Sequence, residues 1–273
     1  MPTVLTREEI ERFHRLGYLS GIPALTQGEV ARFVEKTELF EAGHPQDVPW
    51  AFDIKCNLVF DWVYENGAHP GILGPVSQLI GGDILLTNSV FRIKEPGAAT
   101  SYGWHQDSAR IVVTPLPVIV YMAFSAATAE NGCLAVIPGT HKSVAPFHLV
   151  TNPSQPKRRV ARVDDPDLAR AVKLELEPGE IAIFSANLVH GSPPNRSDDR
   201  RIGYAIRYIP PHVRQIKARD SAMLVRGSDR YGNFDVDPAP KRDLDEAALA
   251  AHQAAVERSA KVLYDGTQSS FRA

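Results

Sequence analysis

Residues 102–108, with the sequence YGWHQDS, place a histidine and an aspartate two positions apart. In a β-strand, residues i and i+2 point to the same face, so His105 and Asp107 would project together from one strand. An imidazole and a carboxylate are two of the three ligands in the 2-His-1-carboxylate triad that binds non-haem Fe(II). The same pattern also occurs as a surface pair or a hydrogen-bonded pair, so a metal site needs a third ligand.

His190 is the histidine, among nine in the chain, whose surroundings best suit that third ligand. It ends the apolar segment EIAIFSANLVH (180–190), which we predict to be a strand, and a Gly-Ser-Pro-Pro-Asn turn follows. A histidine at the end of a buried strand can reach a metal at the mouth of a barrel. A hydrogen-bonded core histidine would fit the same position.

The strand predicted after this turn carries two arginines on one face. If residues 191–199 form a hairpin turn, Arg201 would lie near His190 across the ladder. Arg201, Gly203, Ala205 and Arg207 would then share one face, and the small residues would leave room for an anionic ligand. The planar guanidinium of Arg201 suits a carboxylate. The alternative is that both arginines face solvent on an edge strand.

Two kinds of pattern divide the chain into a helical part and a strand-rich part. Capping boxes at Thr6–Glu9 and Thr26–Glu29 predict two helices, and Pro70 suits the first turn of a third helix over 70–80. Further on, short apolar or alternating segments without interleaved helices favour an antiparallel barrel or jelly roll. The predicted strands are 84–93, 118–126, 133–137, 180–190 and 201–209.

We find no linker and no internal repeat, and therefore expect a single domain over residues 1–273. Its expected parts are a helical N-terminus (1–83), a barrel core (84–210) with an insertion covering the barrel (140–172), and C-terminal loops with a closing helix (211–273).

The composition argues against several classes of partner. Thirty Lys and Arg against 32 Asp and Glu give a net charge of -2, which does not predict a nucleic-acid partner. No apolar run approaches the roughly 18 residues needed to span a bilayer, and the N-terminus carries no signal-peptide pattern. The two cysteines form no CxxC, which fits a reducing compartment. We expect a cytoplasmic protein without a membrane partner, and its oligomeric state stays open.

Three motifs together resemble the phytanoyl-CoA dioxygenase family of Fe(II)/2-oxoglutarate-dependent oxygenases. They are WHQD (104–107), NGCLAVIPGTHK (131–142) and HGSPPNRSDDRR (190–201), in the family's order and spacing. The resemblance implies a mainly β fold with flanking helices, namely the double-stranded β-helix, a jelly-roll and cupin-like barrel. It also implies Fe(II) as the metal, with 2-oxoglutarate and O2 as cosubstrates.

The resemblance assigns roles to individual residues. His105, Asp107 and His190 would bind iron, and Arg201 and Ser192 would hold the distal carboxylate of 2-oxoglutarate. Tyr121 stands where the family often has an aromatic residue beside the cosubstrate. Asn88 and Arg92 are weaker candidates for contacts with cosubstrate or substrate.

The expected reaction is hydroxylation of an unactivated C–H bond in a small polar metabolite, with release of succinate and CO2. Halogenases of the family replace the carboxylate ligand by Ala or Gly, whereas this chain keeps Asp107. Amino-acid derivatives, phosphonates and natural-product intermediates fit the substrate class. The alternatives are a metal-dependent cupin-type enzyme that does not use 2-oxoglutarate, and a non-catalytic binding barrel.

Overall fold

The computed structural model describes residues 4–109, 113–115, 117–152, 155–215 and 219–264. Among these residues, no helix combines the length and the apolar character needed to cross a bilayer. The helices are α1 (Arg7–Leu16), α2 (Gln27–Gly43), α3 (Val48–Ala51), α4 (Asp61–Gly67), α5 (Pro70–Ile80) and α6 (Glu246–Tyr264).

The N-terminal helices begin where the sequence predicts them. Both capping boxes are formed: Thr6 and Thr26 each accept from the backbone of the glutamate three residues later, whose carboxylate accepts in return. Helix α5 begins at Pro70, as expected. The helical region also contains a strand that the sequence analysis missed, β1 (Tyr18–Pro23), because it is short and lies between two strong helix signals.

Seven described strands form a large sheet in the order β1-β10-β5-β12-β2-β14-β15. All its pairings are antiparallel except that of β14 with β15. Its strands are β1, β2 (Ile84–Lys94), β5 (Val118–Ala123), β10 (Glu180–Ser185), β12 (Arg201–Ile209), β14 (Ser221–Arg226) and β15 (Asp235–Val236).

A smaller four-stranded sheet has the order β3-β11-β6-β9. Its strands are β3 (Tyr102–His105), β6 (Leu134–Val136), β9 (Val172–Leu174) and β11 (His190–Ser192), and two separate pairs are β4 (Val113–Thr114) with β13 (Arg214–Gln215) and β7 (Phe147–Asn152) with β8 (Gln155–Val163).

The two faces of the large sheet have different neighbours. On β12, Ile202, Tyr204, Ile206 and Tyr208 belong to the main core, which also contains helix residues such as Phe33 and Trp62. On the opposite face, Tyr121, Ala123 and Ala182 pack in a second cluster with Leu134 and Val136 of the small sheet. The alternation predicted for β12 is therefore present, and its arginine face is the inner one, between the two sheets.

Three segments are organised differently from the sequence expectation. The segment 180–190 is two strands, because the chain leaves β10 at Ser185 and His190 begins β11 in the other sheet. The insertion 140–172 contains the β7–β8 hairpin. Strand β14 pairs with β2, so the large sheet extends beyond residue 210 into the segment predicted as loops.

Candidate active site

His105 and His190 face each other across the small sheet. His105 ends β3, His190 begins β11, and the two residues are directly paired in the ladder. Their ring centroids lie 4.2 Å apart. Asp107 lies beyond the end of β3, in a 3-10 helix over Asp107–Ala109. The strand geometry expected for the histidine–aspartate pair is therefore wrong, although the turn still brings Asp107 beside both histidines.

The ligand atoms of His105, Asp107 and His190 all lie within 4.8 Å of one another. In the part of the chain that the structure describes, these three form the one group of at least three His, Cys, Asp or Glu side chains close enough to share a metal ion. Two imidazole nitrogens and one carboxylate oxygen are the donor set of a 2-His-1-carboxylate iron site.

Backbone carbonyls fix the orientation of both imidazoles. Nδ1 of His105 lies 2.7 Å from the carbonyl oxygen of Gly103, and Nδ1 of His190 lies 2.9 Å from that of Leu188. Because a carbonyl oxygen can only accept, each Nδ1 carries a proton and donates it. This leaves the Nε2 lone pairs for a metal, an arrangement typical of metal-binding histidines.

The electrostatics of the three residues favour a bound cation. Burial and the neighbouring His105 lower the pKa of His190 to about 4, so its imidazole is neutral at pH 7. Burial alone would raise the pKa of Asp107, but the adjacent His105 side chain and the charge of Arg207 hold it well below its usual range. Nε2 of His105 lies 3.4 Å from Oδ1 of Asp107. The Nε2 lone pair of His105 and this carboxylate oxygen repel each other, and a cation bound between the two atoms would remove the repulsion.

Arg207 fixes the other side of the Asp107 carboxylate. Its Nη2 lies 3.3 Å from Oδ2 of Asp107, which leaves Oδ1 directed toward His105. The sequence analysis predicted that Arg207 shares a face with Arg201, and the structure adds this partner on that face. Arg207 therefore orients a candidate metal ligand from the neighbouring sheet.

A second cluster of buried polar groups surrounds the hydroxyl of Ser192. Arg201 is 2% exposed, and its Nη1 donates to Ser192 Oγ over 3.1 Å and to the carbonyl of Gly132. Ser192 Oγ in turn donates to the same carbonyl over 2.7 Å. The predicted pairing of Arg201 with His190 through a hairpin is wrong, since β11 and β12 belong to different sheets. The guanidinium reaches Ser192 through side-chain contacts instead.

Lys94 is a residue of this cluster that the sequence analysis missed. It pairs directly with Arg201 in the β2–β12 register, is 1% exposed, and donates from Nζ to Ser192 Oγ over 2.6 Å. The predicted strand ended one residue too early, at 93. Counting two residues on from Arg92 would have placed Lys94 on the inner face. Within the described ranges, neither Lys94 nor Arg201 forms an ion pair with a carboxylate.

Two buried polar atoms at this cluster, Nε of Arg201 and the hydroxyl of Tyr121, have no hydrogen-bond partner among the described residues. The centre of the Arg201 guanidinium lies 5.8 Å from the centroid of the Tyr121 ring. Burying polar atoms without partners costs free energy unless a ligand satisfies them. A carboxylate placed between Arg201, Lys94 and Ser192 would offset part of the positive charge of the two cations. The Tyr121 hydroxyl lies beside Gly203, where a Cβ atom would overlap it.

The remaining two candidates from the sequence lie on the same face of β2. Asn88 pairs with Arg207 in the ladder, and its side-chain oxygen accepts from the backbone N–H of Lys55 over 2.9 Å. Arg92 pairs with Gly203, and its guanidinium lies over the Tyr102 ring, 5.1 Å from the centroid. Asn88 therefore has a structural partner, whereas Arg92 faces an aromatic ring beside the candidate metal ligands.

Comparison with known proteins gives consistent results for sequence and for structure. The chain is 26% identical over 215 residues to the methylphosphonate hydroxylase of Gimesia maris, covering 74% of this chain and 79% of the relative. It is 32% identical over 110 residues to the phytanoyl-CoA dioxygenase domain-containing protein 1 homolog of Dictyostelium discoideum. That match covers 38% of this chain and 39% of the relative, so the chain spans well under half of it.

The non-heme monooxygenase ThoJ, in its apo form, superposes with a TM-score of 0.83 at 29% identity, covering 94% of this chain and 97% of ThoJ. CytC3 with Fe(II) and alpha-ketoglutarate superposes with a TM-score of 0.65 at 23% identity, covering 90% and 98% of the two chains. Together with the two sheets described above, these superpositions identify the fold as the double-stranded β-helix, as the sequence analysis predicted. The sequence pattern of the phytanoyl-CoA dioxygenase (PhyH) family matches residues 3–203, and the chain belongs to this family.

Proposed function

We propose that this protein is an Fe(II)- and 2-oxoglutarate-dependent oxygenase that hydroxylates a C–H bond of a small polar metabolite. The observation that carries the proposal is the convergence of His105, Asp107 and His190 beside two buried cations, Arg201 and Lys94, which have no carboxylate partner among the described residues. The first group suits Fe(II), and the second suits an anionic cosubstrate. Fe(II) and 2-oxoglutarate, bound together with O2, would supply an oxidant for an unactivated C–H bond, with release of succinate and CO2.

The residues present fit both groups. His105 and His190 would bind iron through Nε2, and Asp107 through Oδ1, because their other polar atoms are held by Gly103, Leu188 and Arg207. Such fixed outer contacts set the direction of each ligand before the metal binds.

The distal carboxylate of 2-oxoglutarate would lie between Arg201, Ser192 and Lys94. The orphaned Nε of Arg201 and hydroxyl of Tyr121 would then gain a polar neighbour. Because the pocket is buried, a charge-assisted contact there is stronger than the same contact in water. These side chains would bind and orient the cosubstrate and exclude water from it.

The small-metabolite substrate class is supported by two relatives. One is named methylphosphonate hydroxylase, and another, from Stutzerimonas stutzeri, a probable alpha-ketoglutarate-dependent hypophosphite dioxygenase. The second match is 27% identical over 187 residues and covers 66% of this chain.

The two alternative functions would require different residues. A cupin-type enzyme that does not use 2-oxoglutarate would have no need of the buried Arg201 and Lys94. A non-catalytic barrel would have no need of a complete metal-binding triad. The presence of both groups favours the oxygenase over either alternative.

The test is the conversion of 2-oxoglutarate to succinate by the purified protein reconstituted with Fe(II). We expect slow conversion that requires iron and O2, and that increases when the correct member of a panel of small polar metabolites is added. The wild type should be compared with Arg12→Met, an exposed substitution on α1, and with Arg201→Ala. Iron-dependent oxidation of a metabolite without 2-oxoglutarate would favour the cupin-type alternative. Full metal binding without turnover of any compound would favour the binding barrel.

A further inference from the structure

Four cationic side chains share the inner face of β2 and β12. Arg201 pairs with Lys94, Gly203 with Arg92, and Arg207 with Asn88, so Arg92, Lys94, Arg201 and Arg207 all lie on the same side of the sheet. In a sheet, alternate residues and their direct cross-strand partners share a face. The site therefore carries more positive charge than a single dicarboxylate requires.

The contacts of these cations divide them into three roles. Arg207 is paired with Asp107. Arg201 and Lys94 are buried and share Ser192 Oγ. Arg92 differs from the others. In the described part of the chain, its guanidinium forms one hydrogen bond, a 3.4 Å contact with the carbonyl of the adjacent Phe91, and no ion pair.

Among these four cations, Arg92 is the one that is accessible and has no ion-pair partner in the described residues. It is half-buried, whereas Lys94 and Arg201 are 1% and 2% exposed. The Tyr102 ring supports one side of its guanidinium. Stacking on an aromatic ring orients a guanidinium and leaves its N–H fork free to bind an oxyanion.

Arg92 lies near the strands that carry the two candidate histidine ligands. Its guanidinium contacts the ring of Tyr102, which begins the strand that ends at His105 and pairs with Ser192 in the ladder. Arg92 also acts on the buried Tyr121, whose pKa burial raises and the charges of Arg201 and Arg92 lower. Arg92 thus lies close to both the metal side and the cosubstrate side of the site.

We infer that Arg92 binds an anionic group, a carboxylate or a phosphonate, of the primary substrate. This inference rests on the proposed function. The distal carboxylate of 2-oxoglutarate would lie at Arg201 and Lys94, and Asp107 is already paired with Arg207. Neither carboxylate is therefore left to pair with Arg92. An oxyanion held by its fork would anchor the substrate at one end while another part of the molecule lies beside the metal.

The experiment measures equilibrium binding to the protein loaded with Fe(II) and 2-oxoglutarate in the absence of O2. Acetate is the planar probe, methylphosphonate the tetrahedral probe, and acetamide the neutral counterpart of acetate, each titrated by calorimetry. We expect one of the two anions to bind with one site per chain, and acetamide to bind no more than weakly. The stronger anion indicates whether the substrate carries a carboxylate or a phosphonate.

Substitution then assigns the binding to Arg92. Arg92→Met should weaken binding of the favoured anion by roughly 10- to 100-fold, the range for losing a hydrogen bond to a charged group. Arg92→Lys should retain part of the affinity, since it keeps the charge and loses the fork. Arg12→Met, an exposed substitution on α1, is the matched control and should bind like the wild type.

The outcomes separate this inference from the proposed function. Equal binding to wild type and Arg92→Met, equal binding of acetamide and acetate, or no saturable binding of either anion would each overturn the role of Arg92. Displacement of 2-oxoglutarate by the anions would overturn it too, because they would then occupy the Arg201 pocket. Failure of the wild type to bind Fe(II) or 2-oxoglutarate would instead overturn the proposed function.

Discussion

Arg201 and Lys94 place two positive charges around one serine hydroxyl in the interior of the protein. Such an arrangement is unfavourable without an anion, because burial removes the water that would screen the repulsion. At the scale of single residues, these two side chains therefore favour binding of an anion such as a carboxylate.

Substitution of Arg201 tests this pocket directly. We expect Arg201→Ala to weaken 2-oxoglutarate binding by about 2 kcal/mol or more, roughly 30-fold, because a buried carboxylate loses its bidentate partner. Arg201→Lys should restore part of the affinity, since a point charge does not reproduce the planar fork. The measurement is the Kd for 2-oxoglutarate in the iron-loaded protein. An unchanged Kd in Arg201→Ala would mean that another cation, Lys94 first, holds the carboxylate.

Lys94 should make cosubstrate binding depend on pH. Burial and the charge of Arg201 lower the pKa of Lys94 to about 7. An anion favours the protonated amine, so above pH 7 binding must take up a proton, and the Kd for 2-oxoglutarate should rise with pH by up to about tenfold per unit. Titration of the wild type and Lys94→Met across this range checks the prediction. The variant should bind more weakly and with a flatter profile, and an identical slope in both proteins would exclude Lys94 as the source.

Asp107 determines the expected reaction outcome. A carboxylate in this position occupies the third protein site, so no place is left for a halide ligand. Product formed in chloride or bromide buffer should carry no halogen, which mass spectrometry of the wild-type product would show. Asp107→Ala should mainly lose iron affinity, because only two of the three candidate protein ligands would remain. A halide-dependent mass shift in the wild-type product would contradict the hydroxylase assignment.

At the scale of elements, β12 contributes to both the core and the site because its successive side chains point to opposite faces of the sheet. One set packs in the main core, and the other faces the candidate site. Gly203 on the inner face of β12 faces Tyr121 of β5, and a Cβ atom at this position would overlap the Tyr121 ring and hydroxyl. We expect Gly203→Ala to reduce the free energy of unfolding by about 1–3 kcal/mol, as for overpacking, and to weaken cosubstrate binding.

The control for this prediction is a double-mutant cycle measured by denaturant unfolding. Tyr121→Val removes the overlapping ring, so Gly203→Ala should cost less in that background than in the wild type. Strict additivity would show that the clash with Tyr121 is not the cause.

Helices and strands were predicted well where the local sequence pattern agrees with the packing found in the structure. Helix α5 begins at the predicted Pro70, and β12 has the predicted bounds and faces, because capping, proline geometry and period-two alternation are local properties. The break after Ser185 was missed, since the apolar run 180–190 continues through it. Whether an apolar residue lies in one sheet or the next depends on contacts that periodicity does not encode.

The candidate site shows the same division. His105, Asp107 and His190 were found from residue type and motif, and the structure brings their ligand atoms together. Lys94 was missed because lysine at a strand end is usually solvated, and its burial depends on the register with Arg201. Asn88 was chosen by the same alternation, yet its side chain holds the backbone of Lys55. Alternation specifies a face, and the partners on that face come from the fold.

At the scale of the whole molecule, the site and the main core lie on opposite faces of one sheet. The main core, formed by the helices and the outer face of the large sheet, contains none of the three candidate metal ligands. Substituting a ligand by alanine should therefore leave the fold largely intact. This separation allows loss of metal to be distinguished from loss of structure.

The central claim is that His105, Asp107 and His190 hold one Fe(II) ion. Anaerobic titration of metal-free protein with Fe(II) tests it, with circular dichroism confirming that each variant is folded. We predict one ion per chain in the wild type and in Arg12→Met, and loss of this site in His105→Ala, Asp107→Ala and His190→Ala, together with the iron-dependent binding of 2-oxoglutarate. Folded His105→Ala and His190→Ala variants that bind Fe(II) with wild-type stoichiometry and affinity would contradict the account.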